Sequence, residues 1–114
     1  MSQSVKIIKP VGILDATKSV DFRQKITEIE DISVKTILID FQEVTFMDSS
    51  GLGALVLAFK TLRAADKKMA ICSINEQVRI LFELTGMDNV FEIFDSQNDF
   101  NVKVEGKVSK YKQI

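Results

Sequence analysis

The stretch "TILIDFQEVTFMDSSGLGALVLAF", Thr36–Phe59, decides the fold. It begins inside an isoleucine-rich run, Lys35–Phe41, whose apolar residues are continuous rather than alternating. Such a run fits a strand covered on both faces. Beyond "FMDSSG" the pattern changes period. Leu52, Leu55, Phe59 and Leu62 recur at helical spacing, flanked by Val56, and predict a helix from about Gly51 to Ala65. Two serines and two glycines, next to Asp48, occupy the joint between strand and helix.

Working outward, "VKIIKPVGIL", Val5–Leu14, reads as two short strands, with Pro10 at a turn or edge because it lacks a backbone donor. A helix follows from about Lys18 to Glu30, capped by Asp15 or Thr17, with Phe22, Ile26 and Ile29 as its apolar stripe. "KKMAICSI", Lys67–Ile74, is the next central strand. Asn75 is a good N-cap for a third helix that turns Val78, Leu81, Phe82 and Thr85 inward and ends at Gly86. "VFEIF", Val90–Phe94, is a last short strand, "FNVKV", Phe100–Val104, fits an edge strand, and "EGKVSKYKQI" reads as a frayed end. This alternation predicts an α/β domain over residues 1–100, a mixed, mostly parallel sheet packed with helices. Residues 101–114 form a tail of undetermined structure. From Lys103 onward the tail carries four lysines and one glutamate, which reads as a solvated end rather than a membrane or nucleic-acid patch.

Composition removes several functions. With 114 residues the chain is long enough for one domain with a real core. Fifteen basic and 16 acidic side chains give a net charge of −1, which argues against direct nucleic-acid binding. There is no histidine, so neither a Ser-His-Asp triad nor a histidine-ligated metal can be built. Cys72 is the single cysteine, which excludes an internal disulfide and a multi-cysteine metal site. It lies in the apolar run "MAICSI" and reads as a small buried side chain in a reducing cytosol. No cofactor is expected. The N-terminal "MSQSVKIIKPVG" contains no signal-peptide core, and the longest apolar run, Ala54–Phe59, is far short of the ~20 residues of a membrane span. A cytoplasmic protein that does not enter the membrane is expected.

The serine turn admits four readings. A nucleophile elbow needs G-x-S-x-G, and the frames around Ser49 and Ser50 both lack the first glycine. A P-loop needs Gly-Lys followed by Ser or Thr, which is absent; Gly51-Leu52-Gly53 opens G-x-G, but Val56 stands where a third glycine belongs. As a plain cap, aspartate and serine satisfy the exposed amides of a helix start. Capping does not explain two glycines in the first turn, each of which costs about 1 kcal/mol of helix propensity relative to alanine. The fourth reading is a modification switch. A phosphate at a helix start meets a partial positive charge and free amides, so it changes surface charge without unfolding the domain. Leu57, about 140° around the helix from Leu52, faces away from the core stripe and is an interface candidate.

These residues carry a family resemblance. "FMDSSGLGALV" after an apolar strand resembles the signature of STAS-domain anti-sigma factor antagonists. "VGILDAT" is similar to that family's second strand and following loop, and "AICSINEQVRILFELTGMDNVFEIF" to its later strand, third helix and closing strand. The resemblance implies a single STAS domain that is a regulator and kinase substrate rather than an enzyme. Unphosphorylated, it would bind an anti-sigma factor with serine kinase activity. Phosphorylation of Ser49 would switch it off, and a PP2C-like phosphatase would reverse the change. Asp15, Asp48, Ser50, Gly51, Gly53 and Leu57 would shape the partner surface, with Ser50 a cap or a second acceptor. Two other outputs fit the same motif: a different kinase–phosphatase circuit, and an unphosphorylated STAS subunit of a transporter or lipid-trafficking complex. The sequence departs from the family where Asn75-Glu76 replaces the usual Ser-Pro, where Met87 follows Gly86, and in the tail, which lacks an amphipathic helical pattern.

Overall fold

A computed structural model describes residues 4–29 and 32–112, with side chains of the last helix described as far as Val104. In chain order the elements are β1 (Ser4–Ile8), β2 (Gly12–Leu14), α1 (Ala16–Thr27), β3 (Val34–Asp40), β4 (Val44–Met47), α2 (Ser49–Ala64), β5 (Lys68–Cys72), α3 (Glu76–Thr85), a short 3-10 turn (Met87–Asn89), β6 (Glu92–Phe94) and α4 (Gln97–Lys112). Among the described residues the strands form a four-stranded sheet, order β1-β3-β5-β6, and a two-stranded sheet, β2-β4. Every pairing is parallel.

The run that decided the fold lies at the centre. Ile37, Leu38 and Ile39 of β3 are 0% exposed because both sheet faces are covered. On one face Ile37, Ile39 and Ile71 pack with Phe22 and Ile26 of α1, Leu55 and Leu62 of α2, and Phe82 of α3. Phe82 also stands edge-on to Phe41 and Phe91, at centroid distances of 6.5 and 5.4 Å, which anchors α3. On the other face Leu38, Ala70 and Cys72 lie under Phe100 of α4, with Phe94 and Val104 beside it. Burial pushes the Cys72 thiol up from its ordinary pKa, as suits a packing residue rather than a reactive one.

Four expectations are corrected. The segment before the serine turn contains a strand, β4, that the sequence did not disclose. Its burial runs inward, outward, outward, inward from Val44 to Met47, so it shows neither alternation nor an apolar run. Helix α1 begins and ends earlier than expected, with Asp15 as its cap, and α2 begins at Ser49 rather than Gly51. Thr85 is exposed rather than inward; its hydroxyl donates to the Leu81 and Phe82 carbonyls at 2.8 and 3.2 Å. "FNVKV" is helical, not an edge strand. Phe100 and Val104, four residues apart, face the sheet from α4, which continues without a break past residue 100.

Candidate functional site

The site is built where two strands end together. Because β2 and β4 pair in parallel with Leu14 beside Met47, the next residues, Asp15 and Asp48, emerge side by side. Each becomes the N-cap of a helix. Asp48 is extended, and its Oδ1 accepts from the Gly51 amide at 3.0 Å. Asp15 Oδ1 accepts from the Thr17 amide at 3.0 Å and the Thr17 hydroxyl at 2.6 Å. That hydroxyl bond is the main cause holding the Asp15 carboxyl below the usual carboxylate range. Two helix starts therefore open on one surface, each carrying a carboxylate.

Ser49 is the first residue of α2, and its side chain is exposed. The backbone beneath it is fixed from two directions. The Asp48 amide donates to the Leu14 carbonyl at 3.2 Å, which ties the turn to β2. The Ser19 hydroxyl donates to the Asp15 carbonyl at 2.7 Å and reaches the Ser50 carbonyl at 3.3 Å, linking α1 to the first turn of α2. Ser50 itself is exposed.

The two glycines do different things. Gly51 is buried against β2: a Cβ there would lie 2.2 Å from the Leu14 carbonyl oxygen. Only glycine lets α2 approach so closely. Gly53 is exposed, and a Cβ added to it would meet nothing within 4 Å. No internal contact asks for a glycine at that position. Gly53 opens onto a shallow, open groove of about 420 Å³ that Ser49, Val56, Leu57, Lys60 and Met87 also line. Leu57 is 42% exposed on its wall. The structure thus gathers Asp15, Asp48, Ser49 and Ser50 at one end, sets Gly53 and Leu57 along a groove leading from it, and puts Gly51 beneath. The described residues contain no cluster of acids and cysteine able to hold a metal, and no described helix is long and apolar enough to cross a membrane.

Two supporting residues were not singled out beforehand: Ser19 and Gln77. Strand β4 has β2 on one side. On its other side, side-chain amides of the α3 start take the place of a strand. Gln77 accepts from the Met47 amide at 3.0 Å and donates to the Met47 carbonyl at 2.8 Å. The Asn75 amide nitrogen lies 3.2 Å from the Val44 and Thr45 carbonyls, while its oxygen caps α3 at Val78. Asn75 was recognisable as a cap; Gln77 could be found only once β4 was known. Replacing Gln77 by alanine leaves the buried Met47 backbone without partners, so a loss of about 1–3 kcal/mol in urea unfolding is expected. An unchanged urea midpoint would show that water serves Met47 equally well.

With this geometry in place, known proteins add the following. The family model described as "STAS domain" matches residues 1–100. An anti-sigma-B factor antagonist of Listeria monocytogenes is 38% identical over 63 residues, a stretch covering 55% of this chain and 55% of that protein. The chain thus matches about half the length of that curated relative. Among solved structures, the Bacillus cell fate determinant SpoIIAA in its phosphorylated form superposes with a TM-score of 0.66 at 25% identity, covering 88% of this chain and 91% of that one. A sulfate transporter family protein of Wolinella succinogenes superposes with a TM-score of 0.81 at 14% identity, covering 92% and 88%. The latter likeness is one of fold alone.

Proposed function

The chain belongs to the STAS domain family, and from that premise we propose that it is an anti-sigma factor antagonist switched by phosphorylation of Ser49. The observation that carries the proposal is the position of Ser49: an exposed hydroxyl on the first residue of a helix, on backbone held by Asp48, Leu14 and Ser19. A kinase can reach the hydroxyl, and the phosphate lands where helix amides and the helix dipole favour an anion. Relatives named anti-sigma-B factor antagonists, and a structural relative solved in a phosphorylated form, support the same reading.

In the unphosphorylated state an anti-sigma factor that is also a serine kinase packs over the turn and the groove. Asp15, Asp48 and Ser50 surround the docking point, Gly53 lets the partner approach the bare backbone, and Leu57 supplies apolar contact. Phosphate adds about −1.5 to −2 charges beside two existing carboxylates. An interface fitted to the neutral hydroxyl must then desolvate that charge, and the partner is released. A PP2C-like phosphatase resets the switch. The protein works in the cytoplasm as a kinase substrate and catalyses nothing itself.

The test is direct. Incubation with ATP and the cognate anti-sigma kinase should place phosphate on Ser49, mapped by mass spectrometry. Ser49→Ala should bind the kinase and stay bound when ATP is added. Absence of phosphate on Ser49 removes the switch and leaves the second reading, an unphosphorylated STAS subunit of a transporter.

A further inference from the structure

The edge strand β1 presents a surface that does not include Ser49. Strand β1 is the end of the four-stranded sheet, and among the described residues only β3 pairs with it. Such an edge carries backbone donors and acceptors without strand partners. A cavity of about 540 Å³ lies along it, touching four consecutive residues, Lys6 to Lys9. The cavity meets Lys6, Ile7 and Ile8, residues that alternate between the two faces of β1, so it reaches the strand's edge; Val34 of β3 also lines it. Its other wall is the C-terminal end of α1 and the residues that follow it, with Lys25, Glu28 and Ile29. A smaller cavity of about 220 Å³ shares Ile8, Lys9 and Lys25 and extends the groove toward Lys18 and Asp21.

Chemistry selects the occupant. Ile8 is buried among the residues under α1, so Lys6, two positions earlier, lies on that same face, where Lys25 also stands. Ile7 lies on the opposite face and is 43% exposed. Lys9 pairs with Glu43 at 3.5 Å; Lys6 and Lys25 make no ion pair among the described residues. Lysines along an edge are a common guard against pairing, but a guard needs no room beside it, and here a cavity of about 540 Å³ separates the strand from the end of α1. A strand laid along β1 would place alternate side chains against Lys6 and Lys25 on one face and against Ile7 on the other.

We propose that the β1 edge receives an extended, acidic peptide segment of a partner protein by strand addition, with its acidic side chains on the Lys6–Lys25 face and its apolar ones against Ile7. This surface uses neither Ser49 nor the two acidic caps, so the proposal stands apart from the switch. The acids already in the groove, Glu28 and Asp21, limit how many negative side chains it accepts and favour alternation over an acidic run.

The probe is a short capped peptide alternating glutamate and valine, titrated into the isotopically labelled full chain. Amide shifts and slowed hydrogen exchange should appear at Val5 to Lys9. Binding should weaken steeply as salt rises from about 0.01 to about 1 M, where the Debye length falls from about 30 to about 3 Å. Reversing Lys6→Glu and Lys25→Glu together should weaken binding about 10-fold or more, equivalent to about 1.4 kcal/mol. A peptide alternating lysine and valine should prefer that doubly reversed chain. Melts of the variant, whose substituted side chains are exposed, should match the wild type. A peptide of the same charge with a central proline should lose binding. The proposal fails if no binding occurs at millimolar peptide, if the shifts map elsewhere, or if the proline peptide binds equally well. It fails likewise if sedimentation shows two copies of this chain pairing through β1.

Discussion

Replacing Gly51 by alanine is expected to lower stability by about 3 kcal/mol, the upper range of what overpacking costs. For a domain of this size that is a fall in Tm of about 10 °C. The cause is local. The new Cβ would sit 2.2 Å from the Leu14 carbonyl oxygen and 2.9 Å from its carbon, and both are backbone that cannot rotate away. To relieve the contact α2 must lift from β2, which strains the Asp48–Leu14 hydrogen bond and the Ser19 bridge together. Gly53→Ala is the control. With nothing within 4 Å of its Cβ, it should gain up to about 1 kcal/mol from helix propensity. Two glycines two residues apart should thus shift the melting curve in opposite directions. Equal shifts would mean that α2 has room to move, and that the approach to Leu14 is not tight in solution.

The second large effect is on binding. Ser49→Asp should weaken the proposed complex with an anti-sigma factor by about 100-fold or more, since an unpaired charge in an interface costs about 3 kcal/mol or more. Its own melting curve should barely move, because an acidic residue in the first turn of a helix is electrostatically favourable. That combination separates a switch from a structural cap. Undiminished affinity would mean that charge at Ser49 does not control the complex. A collapse in stability would mean that the hydroxyl holds the turn together.

Much of this was legible in the sequence because the strongest signals were local. The unbroken apolar run of β3 could only be covered on both faces, and Asn75 and Gly86 cap and end α3 as their chemistry demands; Gly86 has the left-handed φ of 77°. The phosphoacceptor candidate and the acids around it were visible as a motif. Hidden were features that depend on what lies across the fold. Strand β4 leaves no period because Thr45 and Phe46 both face outward. Its edge is completed by side chains 30 residues away, so Gln77 had no local reason to be noticed. The difference between Gly51 and Gly53 is equally invisible in sequence, since it lies in Leu14, on another strand. Helix α4 was missed because its sheet-facing residues, Phe100 and Val104, are too few to establish a helical period.

The Gln77 clamp has a kinetic consequence. Both backbone groups of Met47 are held by one side chain of α3, so the end of β4 cannot come free while that helix start stays docked. Met47, just before the Asp48 cap, and the start of α3 should therefore open and close together. Opening the serine turn should then require the release of Asn75 and Gln77 as well as of the turn's own hydrogen bonds.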